Sequence, residues 1–218
     1  MSVQFTKTAL SWCLGKGSIS LRGNKRRPWL EIQRPETERS YLSYQLFSLR
    51  RSHDGPYEDV RDLISGSSYY DDERIRFYGE GLHAAYQLLY PRDVKVISQQ
   101  VMDLTGVMGL TALWMDCGRI TSSKCGRLRG RFNAEAASAI KQALLRHDIH
   151  SKINAGVTNG RVLTLNRESM TKLARLIRPY AHYSTKAKLQ LRKSPPGSGQ
   201  TRSQPTDREA NALLRRVG

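Results

Sequence analysis

The sequence predicts an α+β fold: two pseudo-symmetric αββαββα halves, with a saddle of antiparallel hairpins around two central packed helices. Three observations predict it. Ala9-Leu10-Ser11-Trp12-Cys13-Leu14-Gly15-Lys16-Gly17 and Thr111-Ala112-Leu113-Trp114-Met115-Asp116-Cys117-Gly118 are both apolar helices with small residues, closed by a polar residue and a Gly. Small residues let a partner helix approach closely, and a terminal Gly suits a left-handed cap. Each segment is then followed by hairpin, helix, hairpin and helix. Finally, positions correspond: Gly17 with Gly118, Leu88-Leu89-Tyr90-Pro91 with Leu176-Ile177-Arg178-Pro179, and Arg74-Ile75-Arg76-Phe77 with Arg161-Val162-Leu163-Thr164.

The first central helix is predicted over 7–16. Ile19 and Leu21 alternate with polar residues, as do Leu30 and Ile32, so 18–22 and 29–33 form a hairpin about a basic turn. Pro35 ends it. Thr37 is the predicted N-cap of a helix through Leu49. Strands are predicted at 57–64 and 74–78 around a polar loop, then a helix over 81–90 stopped by Pro91. Residues 92–106 are expected to connect to the second central helix. Strands then follow at 119–122 and 126–132. Asn133 caps a helix over 134–147. Asn159-Gly160 signals a hairpin between 152–155 and 161–165, and the last helix covers 169–177. The organisation is 1–106 for the first half, 107–192 for the second, and 193–218 for a basic flexible tail of linker composition.

Charge narrows the function. Thirty-six Lys and Arg against 19 acids give 218 residues a formal charge of +17. That balance implies a polyanionic partner, of which nucleic acid is the commonest. A membrane-surface protein would need an amphipathic anchor or long apolar run, and neither is evident. Three irregularly spaced cysteines form no disulfide framework or zinc motif. They suit a reducing compartment. No secretory signal is expected ahead of the first helix. The expected location is a bacterial, phage or archaeal cytoplasm, or a mitochondrion or plastid that encodes the protein. With both halves in one chain, a monomer is expected, free or within a ribonucleoprotein.

Both helix-to-Gly segments, with the matching order of elements after them, resemble the LAGLIDADG homing endonucleases and their maturase relatives over residues 7–190. The resemblance implies that the residue before each final Gly should be an acid. Two such acids would meet at the helix interface and hold divalent metal over the scissile phosphates. The corresponding residues here are Lys16 and Cys117. An ammonium ~4 Å from another unit charge is repelled by roughly 4 kcal/mol at an effective dielectric of 20, and a divalent ion doubles that. A thiolate is a soft ligand poorly matched to Mg²⁺. Asp116, a relict candidate, lies one residue early and points about 100° away from Cys117. Lys16 can contact phosphate or cap its helix through the dipole, and the two roles can coexist.

The resemblance therefore implies a non-cleaving, LAGLIDADG-type nucleic-acid-binding protein, with structured RNA favoured over duplex DNA. The role is maturase-like, as a group I intron splicing cofactor, or that of a ribonucleoprotein component. No cofactor is expected on this reading. The alternative is a site-specific DNA homing endonuclease with an atypical or decayed active site, using Mg²⁺ with Asp116 or another acid such as Glu31. Basic ribbons are suited to phosphates and base edges. The candidate contacts are Arg22, Lys25, Arg26, Arg27, Gln33 and Arg34 in the first half. Those in the second are Arg119, Lys124, Arg127, Arg129, Arg131, Lys152 and Arg161. Alternation places Arg127, Arg129 and Arg131 on one strand face, which makes that trio the strongest group.

Overall fold

A computed structural model of the chain describes residues 3–24, 26–64, 72–121, 125–156 and 160–189. The predicted tail, and the candidates Lys25 and Lys124, lie outside the described residues. The first half runs α1 (Val3–Leu14), β1 (Ser18–Arg22), β2 (Arg27–Pro35), α2 (Arg39–Ser52), β3 (Tyr57–Ile64), β4 (Asp72–Gly79) and α3 (Leu82–Leu89). The second repeats the order: α4 (Gln99–Cys117), β5 (Gly118–Ile120), β6 (Gly126–Phe132), α5 (Ala134–Leu145), β7 (Ser151–Ala155), β8 (Arg161–Leu165) and α6 (Arg167–Ile177). Each half forms one antiparallel sheet, ordered β1-β2-β4-β3 and β5-β6-β8-β7. The predicted αββαββα repeat is thus present twice.

The central helices α1 and α4 pack together, and the hydrophobic core runs through both halves. Alternation explains which sheet face is buried. In β2 the even positions, Leu30 and Ile32 among them, are buried while the odd ones face outward; in β4 the large buried apolar residues are Ile75 and Phe77. In the second sheet Leu128, Leu163 and Leu165 do the same. Asn133 and Asn166 cap α5 and α6, accepting from the backbone N–H of Ala136 and Ser169 at 2.8 Å each. Each cap satisfies one of the orphan donors at a helix start.

Several expectations are corrected. Helix α4 starts at Gln99 rather than after 106, and is broken at Gly106, where φ 54° favours a residue without Cβ. Thr37 does not cap α2; it sits in a short 3₁₀ turn over Glu36–Glu38. Gly17 and Gly118 do not form left-handed caps: neither has a positive φ, and Gly118 is extended at φ −82°. They serve close approach instead. A Cβ on Gly17 would stand 2.7 Å from the Trp12 carbonyl oxygen, and one on Gly118 would stand 2.4 Å from that of Trp114. The correspondence of Arg74–Phe77 with Arg161–Thr164 is off by one. Ile75 and Phe77 are buried like Leu163 and Leu165, and a slip of one residue exchanges the two faces of a strand.

Candidate nucleic-acid interface

The ends of the central helices meet at Gly15 and Asp116. Only Gly fits at position 15, because a Cβ there would lie 2.0 Å from Asp116 Oδ2. That oxygen accepts from the backbone N–H of Lys16 at 2.7 Å. The other, Oδ1, accepts from the Arg34 guanidinium at 2.7 Å. Both side chains are buried, at 0% and 1% exposure. Arg34 also donates through Nε to Gln45 at 2.8 Å and through a terminal nitrogen to Glu38 at 3.0 Å. Its guanidinium lies 4.4 Å from the centre of the Tyr41 ring. Burial works against the Arg34 charge, but Asp116 more than offsets it and its pKa is raised. Burial likewise opposes the Glu38 charge, yet Lys16 and Arg34 hold the carboxyl below its usual range. Arg34 is thus no nucleic-acid contact: it shares the inward phase of Leu30 and Ile32.

Two residues that sequence reasoning missed complete this region. Lys95 Nζ donates to the Gly17 carbonyl at 2.9 Å, just past the end of α1. Lys188 Nζ donates to the Met115 carbonyl in the last turn of α4. Cations at helix C-termini offset the dipole and satisfy orphan carbonyls. The available signal was positional, since each lysine follows the Pro that closes its half, Pro91 or Pro179. Lys16 is 45% exposed and lies 3.9 Å from Glu38. Burial, then the nearby Asp116 charge, pushes the Cys117 thiol up to about 11.

This donor set does not suit a hard divalent cation. Lys16 brings a positive charge and Cys117 a protonated thiol. Both oxygens of Asp116 are already engaged. Glu31 lies on the sheet, held by Arg22 at 2.6 Å and Arg74 at 3.8 Å. Among the described residues, no cluster of three or more His, Cys, Asp or Glu side chains could hold a metal ion.

The outward faces of the two sheets differ. On the first, nearly every cation has an acid. Arg22 pairs with Glu31, Arg27 lies 3.9 Å from Glu58, and Arg74 and Arg76 reach Asp62 at 3.2 and 2.7 Å. Gln33 donates to Asp72 at 2.7 Å. Arg26, in the β1–β2 turn, stands 4.0 Å from Asp93. Trp29 lies beside Tyr78, ring centres 5.7 Å apart, and the Arg27 guanidinium lies over the Tyr78 ring, 5.5 Å from its centre.

On the second sheet, Arg119 stands opposite Arg127, Arg127 opposite Thr164, and Thr164 opposite Lys152. One row across four strands thus carries three cations. In the next row Arg129 faces Val162, which faces Asn154. Arg127, Arg129, Asn154 and Thr164 line a depression of about 370 Å³. Arg131 is exposed but lies beyond Arg129, where the register with β8 shifts before Phe132. Arg161 is exposed at the start of β8, in the phase of Leu163 rather than of Thr164. Among the described residues, no ion pair engages Arg119, Arg127, Arg129, Arg131, Lys152 or Arg161.

No protein-family model matches the chain, and no curated protein does. Solved structures do. The homing endonuclease I-WcaI bound to its DNA recognition sequence is 15% identical, with TM-score 0.70, covering 88% of each chain. The homing endonuclease I-DmoI in complex with DNA and Ca is 13% identical, with TM-score 0.53, over 81% of this chain and 91% of that one. Full-length DUF199/WhiA from Thermatoga maritima is 12% identical, with TM-score 0.52, over 99% of this chain and 67% of its own. The chain has the fold of the LAGLIDADG homing endonucleases. Among the described residues, no helix is long and apolar enough to cross a membrane.

Proposed function

We propose that this chain uses the fold it shares with LAGLIDADG homing endonucleases to bind nucleic acid without cutting it. The observation that carries the reading is the commitment of Asp116. Its two oxygens serve Arg34 and the Lys16 backbone, at the place where the family resemblance calls for metal-binding acids. Lys16 and Cys117 occupy the acid positions themselves. Outward Arg and Lys side chains on the sheet surface supply phosphate contacts where no carboxylate holds them, which positions a nucleic acid, while Gln33 and Asn154 offer amides suited to base edges. Structured RNA is the proposed target class, in a maturase-like or ribonucleoprotein role.

A second reading is supported by neighbours solved with DNA: site-specific recognition of duplex DNA, with cleavage from an atypical centre. Crosslinking the native protein to its nucleic acid, sequencing what is recovered, and incubating that sequence with protein and Mg²⁺ separates the two. Enrichment of one RNA with no cleavage is the expected result. Cutting of a single DNA site refutes the proposal.

A further inference from the structure

We infer that the nucleic acid is anchored on one side only. The phosphate anchor is the row Arg119, Arg127 and Lys152, backed by Arg129, on the second sheet. The outward face of the first sheet, its arginines already paired with carboxylates, adds little to the grip. This inference rests on the nucleic-acid reading above and says where on the fold the backbone is held.

The two faces differ in what their arginines already do. On the first sheet, Arg74 and Arg76 share the Asp62 carboxylate, Arg22 and Arg74 share Glu31, and Arg27 faces Glu58. A phosphate approaching there meets three carboxylates among four arginines, and each of those arginines must leave its partner to contact it. Such an exchange releases few condensed counterions. On the second sheet nothing comparable stands in the way. Arg119 and Arg127 are directly opposed across the β5–β6 ladder. Like charges so placed are destabilising. Among the described residues neither has an acidic partner, so a bound anion is the natural relief for that repulsion. Three strand spacings of ~4.8 Å separate β5 from β7, so the row spans about 14 Å across the sheet. The asymmetry extends to whole segments. Residues 1–117 hold 15 basic and 14 acidic side chains, whereas residues 118–189 hold 15 and 3.

The anchor and its silent counterpart are separable by salt. Binding of a short fluorescein-labelled RNA hairpin is followed by anisotropy across a KCl series. The parent protein is compared with R127Q/R129Q, R74Q/R76Q and D62N, and thermal melting verifies that each is folded. R127Q/R129Q is expected to flatten the dependence of log K on log[KCl] by about 1.4–1.8, at ~0.7–0.9 per lost contact. R74Q/R76Q is expected to leave the slope where it is. D62N, which frees Arg76 and leaves Arg74 only Glu31, is expected to steepen it by about 0.7–0.9, one contact on the same scale. A loss from R74Q/R76Q equal to that from R127Q/R129Q overturns the one-sided anchor but leaves nucleic-acid binding standing, and a D62N slope equal to the parent's overturns the account in which Asp62 silences the first face. Failure of the parent to bind the hairpin or a duplex at low salt overturns the reading beneath it.

Discussion

Replacing Asp116 by Asn tests the central helix junction. The substitution keeps the shape and the acceptor oxygen but removes the charge facing Arg34, 2.7 Å away and equally buried. Two unit charges ~4 Å apart attract by about 4 kcal/mol at an effective dielectric of 20. Breaking one side of a buried pair costs about 3–5 kcal/mol, because a charge is left behind. Glu38 still reaches Arg34 at 3.0 Å, which favours the lower end of that range. At about 2–4 °C per kcal/mol for a chain of this size, D116N should melt about 6–12 °C below the parent. Replacing both partners, as R34M/D116L, should recover most of the loss, since an apolar pair of similar volume is often neutral. The assay is a melting series on the parent, both single variants and the double, run with EDTA and again with Mg²⁺. A D116N variant as stable as the parent refutes the ion-pair account. So does Mg²⁺ that raises the melting temperature of the parent but not that of D116N, since it would make Asp116 a metal ligand.

Other expectations follow from neighbouring atoms. Gly15→Ala places a methyl 2.0 Å from the Asp116 carboxylate and should cost about 2 kcal/mol or more, read in urea denaturation. Among the described residues the buried Tyr41 Oη has no hydrogen-bond partner, so Tyr41→Phe should be neutral or stabilising by up to about 1 kcal/mol; a large loss would show a hydrogen bond there. Glu38 has a depressed pKa, so its share of stability is present above the ordinary Glu range and is lost as pH falls through the folded value. Melting below about pH 4.5 should therefore be less acid-sensitive in Glu38→Gln than in the parent. Cys117, pushed up to about 11, should resist iodoacetamide at pH 8 in the folded protein and react once unfolded, as peptide mass spectrometry would show.

The architecture is legible in local sequence patterning. The alternation of Ile19 with Leu21 and of Leu30 with Ile32, the Asn133 cap and the matched order of elements all correspond to observed structure. The inward direction of Arg34 was also readable, because it follows Leu30 and Ile32 at the same period of two. Its partner was not: Asp116 lies 82 residues away, and only the packing of α1 on α4 brings them together. The Gly17 and Gly118 positions were recognisable, but the cause was tertiary crowding rather than handedness. Distances to Trp12 and Trp114 decide that, and a sequence does not contain them. The acids on the outward face of the first sheet were countable in the sequence. Their pairing with Arg22, Arg27, Arg74 and Arg76 depends on strand register, which is set by the order β1-β2-β4-β3.

The presence of both halves in a single chain has a consequence for how a target can be approached. Two identical subunits related by a two-fold axis must present identical surfaces, so whatever one offers the other repeats. A covalent tandem is free of that constraint, and here the two sheets present unlike faces. A ligand crossing from one sheet to the other meets a polarity, and turning it end for end is no longer equivalent. On the proposed nucleic-acid reading, a palindrome gains nothing from such a surface, and a target whose own two ends differ is the better match.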